Sequence, residues 1–226
     1  MNPRPDDLRS AFDRLLQSTK PLDGLESLIW RCLTAAVDVP DHPWNLGGLV
    51  TLTQVQEPAG ETLSSVYRVV PTARTVVVRA VNRQQRTLDC YTDRRSQKAL
   101  DLLHDRSVAW LFYEASTKIQ LRVAAKGELI EQGEEVDAAW SGTPLRSRSA
   151  YASKQRPGAR LVGDEIPNVS DRNVDQSCPE KGRDHFCIFR STVDSIDWLY
   201  LRDGGHVRAQ VKFTRSGDSQ VTWLNP

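Results

Sequence analysis

Apolar residues recur at helical spacing in the first part of the chain. Leu8 and Phe12 begin one apolar stripe, which predicts a helix over residues 6–17. A second stripe predicts a helix over residues 23–37. Two prolines and an aspartate then break the pattern. We therefore expect a helical extension over residues 1–40.

From residue 44 onward the pattern changes to alternating and β-branched runs, which are typical of strands. Strands are predicted at 44–57, 62–70, 74–81, 87–92, 108–113, 118–130, 185–193, 195–201, 206–215 and 220–225. Between them we expect a helix over 93–104, helical turns over 134–151 and a long loop over 155–184. A β-rich chain with short helices at its rim favours a barrel or sandwich over a doubly wound fold, here as a single domain over 1–226.

Composition narrows the class of protein without identifying it. The 226 residues include 30 basic and 29 acidic side chains, so no global field would attract nucleic acid or an anionic membrane. No apolar run is long enough for a membrane span, and the N-terminal residues do not resemble a secretory signal. We expect a cytoplasmic protein that binds neither nucleic acid nor membrane. Its four cysteines are expected as reduced thiols, with no metal site.

Basic and hydroxyl side chains cluster in sequence between residues 74 and 98. Arg74 and Arg79 are five residues apart, which places them on opposite faces of a regular strand unless its end redirects one of them. Thr92, Ser96 and Lys98 lie where a strand meets a predicted helix, a junction that suits a phosphate monoester. The pattern alone favours a capped helix with a solvated basic face, since no P-loop glycines are present.

The order and spacing of several motifs resemble the pyridoxamine 5′-phosphate oxidase family. The resemblance begins with Arg74 to Arg79, continues through Tyr91-Thr92 and Ser96-Gln97-Lys98, and reaches Gln120. Two later segments, Ser153-Lys154-Gln155 and Arg208-x-Gln210-x-Lys212, also resemble the family. The resemblance covers roughly residues 45–226. It implies a mainly β (α+β) fold, an FMN-binding split β-barrel, with FMN shared between the subunits of a homodimer.

The resemblance also implies roles for particular residues. One chain would contribute these flavin-binding residues: Arg74, Val77, Arg79, Tyr91, Thr92, Ser96, Lys98 and Gln120. The second chain would contribute Gln155, Trp198 and Lys212 to the same flavin. Substrate would contact Arg148, Tyr151 and Arg208, and no catalytic residue is assigned.

Two departures from the family pattern affect the expected reaction. Gln97 stands where the family has a phosphate-binding arginine, which Arg95 would have to replace, and Gln210 stands where it has a histidine near the substrate. The resemblance implies an FMN-dependent oxidoreductase, with oxidation of pyridoxamine or pyridoxine 5′-phosphate as the best named reaction. Turnover of another small molecule stays open, as does a non-catalytic flavin or haem carrier with His185 or His206 as the axial ligand.

Overall fold

The computed structural model describes residues 5–39, 41–56, 67–160, 179–214 and 216–226. Its helices are α1 (Pro5–Leu16), α2 (Pro21–Asp38), α3 (Gln97–Asp101), α4 (Glu134–Gly142) and α5 (Leu145–Arg148). Its strands are β1 (Leu46–Gln56), β2 (Tyr67–Val77), β3 (Ala80–Asn82), β4 (Thr87–Asp93), β5 (Ser107–Glu114), β6 (Ile119–Ile130), β7 (Phe186–Tyr200), β8 (Val207–Phe213) and β9 (Ser219–Leu224). The predicted turn at 57–60 and residues 161–178 of the predicted long loop lie outside the described residues, as does Cys178.

The nine strands in the described part of the chain form one antiparallel sheet. Its main path is β2-β1-β5-β6-β7-β4-β3, and β8 and β9 extend it beside β7. The two ends of the path are consecutive in sequence, because β2 runs into β3 through residues 78 and 79. The sheet therefore curls until its first and last strands meet. The predicted mainly β architecture with two N-terminal helices is confirmed.

A change of partner at Val78 and Arg79 divides the strand that was predicted over 74–81. The Val78 amide donates to the Asn45 carbonyl at 2.8 Å, on the β1 side. The Arg79 amide donates to the Asp89 carbonyl at 2.8 Å, on the β4 side. The chain thus leaves one half of the sheet and joins the other within two residues. Away from this crossing, β2 and β4 are not paired with each other, which leaves an opening between them. Helix α3 packs against β1 beside this opening.

Aromatic side chains fill the interior, and the N-terminal helices cover one end of it. Trp110 and Phe112 of β5 stack with ring centroids 5.8 Å apart. Phe12 of α1 stacks on Trp198 of β7 at 5.3 Å, and both rings are fully buried. Burying side chains of this size stabilises the fold by about 1.5–3 kcal/mol each. Helices α1 and α2 therefore share one hydrophobic core with the barrel.

Two further predicted elements differ from the structure. The helix predicted over 93–104 is shortened to α3, because the Asp93 carboxylate accepts the Arg95 amide at 2.8 Å and holds the chain in a turn. The strands predicted at 185–193 and 195–201 are one strand, β7, with a bulge at Asp194 where the register against β6 shifts. None of the described helices is both long and apolar enough to cross a membrane.

Candidate functional site

The opening between β2 and β4 brings together the basic residues that lie apart in sequence. Arg74 projects from β2, Arg79 follows the crossing, and Lys98 lies in α3. The positive charges of all three lower the pKa of the buried Cys90 thiol, although burial raises that pKa overall to about 12. Charges act measurably on a buried group only from nearby. The Arg79 guanidinium lies 5.7 Å from the centre of the ring of Tyr91 on β4, so the crossing of the chain places Arg79 at the β4 side of the same opening.

This cationic group contains more positive charge than the described residues neutralise. Lys98 and Arg79 make no ion pair with any residue in the described ranges. Burial lowers the pKa of Lys98, and the charge of Arg74 adds to that effect. A partly buried cation without an acidic partner is unfavourable by itself. The arrangement favours binding of an anion.

Hydroxyl groups lie beside Lys98. Thr92 Oγ1 and Ser96 Oγ are 3.0 Å apart, and Lys98 Nζ lies 3.5 Å from Ser96 Oγ. Both hydroxyl residues are buried. Hydroxyls and cations together are the donor set that a phosphate monoester requires, and such a group carries about −1.5 to −2 charges at pH 7. The residues present fit the phosphate end of FMN.

An aromatic cluster borders the same site. Tyr91, Tyr151 and Phe186 pack edge to face, with Phe186 centroids 5.0 and 5.1 Å from the two tyrosines. The Arg79 guanidinium lies 5.7 Å from the centre of the Tyr91 ring. Burial raises the pKa of Tyr151 to about 12, and the positive charge of Arg79 partly opposes this. An apolar aromatic cluster next to a cationic group suits a molecule with a ring at one end and an anion at the other.

A second polar group lies on the outer face of the sheet. Asp197 of β7 accepts hydrogen bonds from Arg208 at 2.8 Å and from Arg122 at 2.7 Å. Both arginines hold the pKa of Asp197 below its usual value, although burial alone would raise it. Lys212 shares the outer face of β8 with Arg208, because the two are four residues apart on one strand.

The outer group is remote from the cationic site within one chain. The charge of Lys98 acts on Cys187, near the start of β7, whereas Asp197 lies ten residues further along that strand. The rise of an extended strand makes this about 30 Å of chain, measured along a strand that bulges at Asp194. Within a single chain, Arg208 and Lys212 therefore lie toward the opposite end of β7 from the Lys98 site.

Comparison with known proteins gives two kinds of match. Residues 48–131 match the family model described as pyridoxamine 5′-phosphate oxidase, FMN-binding domain. A curated pyridoxine/pyridoxamine 5′-phosphate oxidase from Kineococcus radiotolerans is 32% identical over 130 residues, 56% of this chain and 57% of that protein. One of the same name from Agrobacterium fabrum is 31% identical over 157 residues, 67% of this chain and 74% of that protein. The chain belongs to the pyridoxamine 5′-phosphate oxidase family. FMN is the cofactor of the matched domain, as predicted.

Solved structures show the family fold. A pyridoxamine 5′-phosphate oxidase-related, FMN-binding protein from Nostoc punctiforme has a TM-score of 0.66 at 20% identity, covering 88% of this chain and 96% of that one. PhzG from Burkholderia lata, in complex with tetrahydrophenazine-1-carboxylic acid, has a TM-score of 0.63 at 16% identity, covering 95% and 96%. At these identities the likeness concerns the fold alone, which is the split barrel expected from the sequence.

Trp198 is a correction to the residue set implied by the family resemblance. Its ring is fully buried in the barrel interior against Phe12, so it does not reach a flavin on the outer surface. The outward neighbours are Asp197 and Leu199. Ile196, Trp198 and Tyr200 are spaced two apart, so their side chains lie on one face of the strand. This spacing was the signal in the sequence that Trp198 points inward.

Arg148 and Arg95 are used for other contacts. Arg148 donates to the Thr143 carbonyl and the Glu180 carboxylate, both at 2.8 Å, and its guanidinium lies 5.1 Å from the Trp140 ring centre. These contacts join α4 and α5 to the turn at 179–185, and the substrate contact of Arg148 remains a prediction. Arg95 pairs with Asp93 at 2.7 Å, and no described contact places it beside Lys98.

The remaining predicted residues are accessible. Val77 and Gln120 lie on the outer face of the barrel, on β2 and β6. Gln155 is exposed, in the segment whose Ser153 carbonyl accepts a hydrogen bond from Arg95 at 3.0 Å. No described contact joins these three residues to the cationic site, and their flavin roles remain predictions.

Sequence reasoning missed a set of buried polar residues behind Arg74. These are Thr51 and Thr53 of β1, Thr72 of β2, and Asp101 of α3. The only signal in the sequence is that Thr51 and Thr53, like Thr72 and Arg74, are spaced two apart and so share one strand face. Nothing local indicates that α3 brings a carboxylate to them.

Proposed function

We propose that this chain is an FMN-dependent oxidoreductase whose flavin phosphate binds Arg74 and Lys98. The observation that carries the proposal is a group of three cations, Arg74, Arg79 and Lys98, with a single acidic partner among the described residues, Asp101, which lies 3.9 Å from Arg74. This group lies beside the paired hydroxyls of Thr92 and Ser96. Arg79 and Tyr91 would line the path from the phosphate toward the ring. When bound, FMN supplies two-electron chemistry, taking a hydride from a substrate carbon and passing the electrons to an acceptor.

The chain's own residues have a positioning role in this reaction. Lys98 and Arg74 would fix the phosphate end, and the aromatic cluster of Tyr91 and Tyr151 would keep water from one side of the ring. No acid or base is assigned, because hydride transfer to the flavin requires none from this chain. The expected contribution of the protein is orientation and electrostatics.

Oxidation of pyridoxamine or pyridoxine 5′-phosphate is the leading reaction, supported by the names of the two relatives. A second candidate is turnover of a different small molecule by the same flavin. Gln210 in place of a histidine, and Arg148 engaged by Glu180, both favour that alternative. The positions of the histidines give little support to a haem carrier. His185 Nδ1 lies 2.9 Å from the Tyr151 carbonyl, and His206 is exposed just before β8.

The deciding experiment combines a visible spectrum of the purified protein with mass identification of the released cofactor. FMN at about one per subunit supports the proposal. A protein that stays colourless after incubation with FMN, or that shows a haem Soret band, contradicts it. Turnover of pyridoxamine 5′-phosphate by the FMN-loaded protein, with O₂ as acceptor, then separates the leading reaction from the second candidate.

A homodimer with shared sites is the second part of the proposal. Arg208 and Lys212 pair with the part of β7 that lies furthest from Cys187, on which the charge of Lys98 acts, so the proposal has them reach a bound flavin from another chain. The outer face of β1, β2 and β5 also exposes a group of large apolar side chains: Leu46, Tyr67, Val69, Leu111 and Tyr113, each 45–57% exposed. Contiguous apolar surface of this kind is typical of an interface.

Mixing two defective variants tests the shared site directly. Lys98→Ala and Lys212→Ala should each bind FMN weakly alone. Random exchange of subunits makes half of the dimers mixed, and each mixed dimer has one site with both lysines, so about a quarter of all sites should recover. Failure to recover, with exchange verified by mass, would contradict a site built from two chains. Leu111→Glu should give monomers, whereas the matched change at the exposed Leu103 should not.

A further inference from the structure

Asp101 is a buried carboxylate with a complete set of hydrogen-bond donors. Its side chain is 1% exposed at the end of α3. The hydroxyls of Thr51 and Thr53 both donate to Oδ2, the second at 2.9 Å. Gln97 Nε2 donates to Oδ1 at 2.9 Å. A buried carboxylate is tolerated only when it is paired in this way, so α3 is held against β1 through Asp101.

Two chains of hydrogen bonds run from Arg74 to this carboxylate. In the first, Arg74 Nη1 donates to Thr51 Oγ1 at 2.6 Å, and Thr51 donates to Asp101. In the second, Arg74 Nη2 donates to Thr72 Oγ1 at 2.8 Å, and Thr72 Oγ1 lies 2.8 Å from Thr53 Oγ1. Thr53 completes the second chain by donating to Asp101.

The carboxylate determines the direction of every bond in both chains. A carboxylate only accepts, so Thr51 and Thr53 each direct their one hydroxyl proton toward Asp101. Their lone pairs then face the other way, and Thr53 accepts from Thr72. The lone pairs of Thr51 and Thr72 are left for the guanidinium of Arg74. Aligned chains of this kind strengthen each of their members.

The result is a guanidinium held on one side and open on the other. The two Nη1 hydrogens go to Thr51 Oγ1 and the Leu49 carbonyl, and one Nη2 hydrogen goes to Thr72. Nε and the second Nη2 hydrogen have no hydrogen-bond partner among the residues that the structure describes. Two parallel donors on one edge match two oxygens of a phosphate.

We propose that Asp101 is a positioning residue, which orients Arg74 for the FMN phosphate through Thr51, Thr53 and Thr72. In this arrangement Gln97 holds Asp101 in place and is not itself a phosphate ligand, which gives the departure from the family's arginine a physical role. The inference rests on the proposed function, because it assumes that the flavin phosphate binds Arg74.

The sign of the effect distinguishes positioning from direct electrostatics. A carboxylate near a phosphate repels it, so a purely Coulombic role predicts that removing Asp101 tightens FMN binding. Positioning predicts the opposite, because without Asp101 the hydroxyls of Thr51 and Thr53 are free to turn and Arg74 is no longer held. Riboflavin has no phosphate and reports any general damage to the site.

The experiment measures the affinities of the purified full-length apoprotein for FMN and riboflavin by quenching of flavin fluorescence. The variants are Asp101→Ala and Thr72→Val, with Thr143→Val as the matched control, since Thr143 is a buried threonine whose hydroxyl donates to the Ala139 carbonyl. Each test variant should lower the ratio of FMN to riboflavin affinity by about tenfold, the effect expected for one charge-assisted hydrogen bond. The control should leave the ratio unchanged.

Two results would overturn the inference: a higher ratio of FMN to riboflavin affinity in Asp101→Ala, or an unchanged ratio, whether or not both affinities fall. If Asp101→Ala does not fold, the half-buried Thr72→Val decides. In an Arg74→Ala background, Asp101→Ala should have no further effect on the ratio, and an added loss would show that it acts by another route. If Arg74→Ala alone leaves the ratio unchanged, the phosphate assignment under the proposed function fails.

Discussion

Replacement of Lys98 by methionine should weaken FMN binding and spare the fold. Lys98 Nζ has no acidic partner among the described residues and lies 3.5 Å from Ser96 Oγ. Methionine has a similar length and no charge, so the variant loses a charge-assisted phosphate contact of about 1.5–3 kcal/mol. That corresponds to a loss of about 10- to 150-fold in FMN affinity, with riboflavin affinity nearly unchanged.

The same substitution, which weakens FMN binding, should increase the stability of the apoprotein. Burial and the charge of Arg74 lower the pKa of Lys98, so the charged side chain costs stability in the folded state. Allowing for its partial exposure, Lys98→Met should raise the free energy of unfolding by about 1 kcal/mol or less. Because the unfolded chain holds this proton more tightly, wild-type stability should rise as the pH approaches the usual lysine pKa, and the variant should lack that rise.

Flavin fluorescence titration and urea unfolding of the apoprotein measure the two effects. Lys126→Met is the control, because Lys126 is an exposed lysine on β6 that donates to Ser107. Equal loss of FMN and riboflavin would refute the phosphate role. A destabilised apoprotein would refute the argument that Lys98 is an uncompensated cation. Either result would assign Lys98 to the structure of the barrel.

Three further predictions concern the core and pH. Phe12→Ala should lower the free energy of unfolding by about 3–5 kcal/mol, because its buried ring stacks on Trp198, while Leu103→Ala, at an exposed site, should change it by less than about 0.5 kcal/mol. Burial lowers the pKa of His42, and Glu114 partly opposes this effect. The free energy of unfolding should therefore fall as the pH drops below the ordinary histidine pKa. If this dependence of stability on pH were undiminished in His42→Gln, it would contradict the assignment to His42. The preference for FMN over riboflavin should fall between pH 7 and pH 5, because the phosphate loses its second charge near about pH 6. Flavin titrations across that range test this prediction. A constant preference would argue against binding of the phosphate dianion.

Local patterns were sufficient for much of the fold. The apolar stripes that predicted helices over 6–17 and 23–37 correspond to α1 and α2, whose buried faces pack on the barrel. The alternation of apolar and polar residues predicted the bounds of β5 and β6 to within about one residue. This pattern is clear because one face of each strand is buried and the other faces solvent. The length of the short helix α3 was overestimated, since its start depends on turn contacts at Asp93 and not on periodicity.

The candidate site was partly predictable. Arg74, Thr92, Ser96 and Lys98 were identified from motif order and are brought together at the opening between β2 and β4. Trp198 was assigned to the wrong face, because motif position was given more weight than the alternation around it. The partners of Arg74 were missed, since they come from two strands and a helix that are distant in sequence.

By itself, the sequence determined which segments are helices and strands, which residues share a face, and the family to which the chain belongs. The elements and the shared faces follow from periodicity and spacing, which are local, and the family follows from the resemblance of its motifs. Only the tertiary structure decided that Arg79 turns into the same site as Arg74, and that Asp101 holds Arg74 from behind. It also decided that Arg208 and Arg122, which are far apart in sequence, both bind Asp197 of β7. These facts depend on where the sheet closes and on which strands are not paired. Closure brings together residues that are distant in sequence, and a local pattern of apolar and polar positions does not predict contacts between such residues.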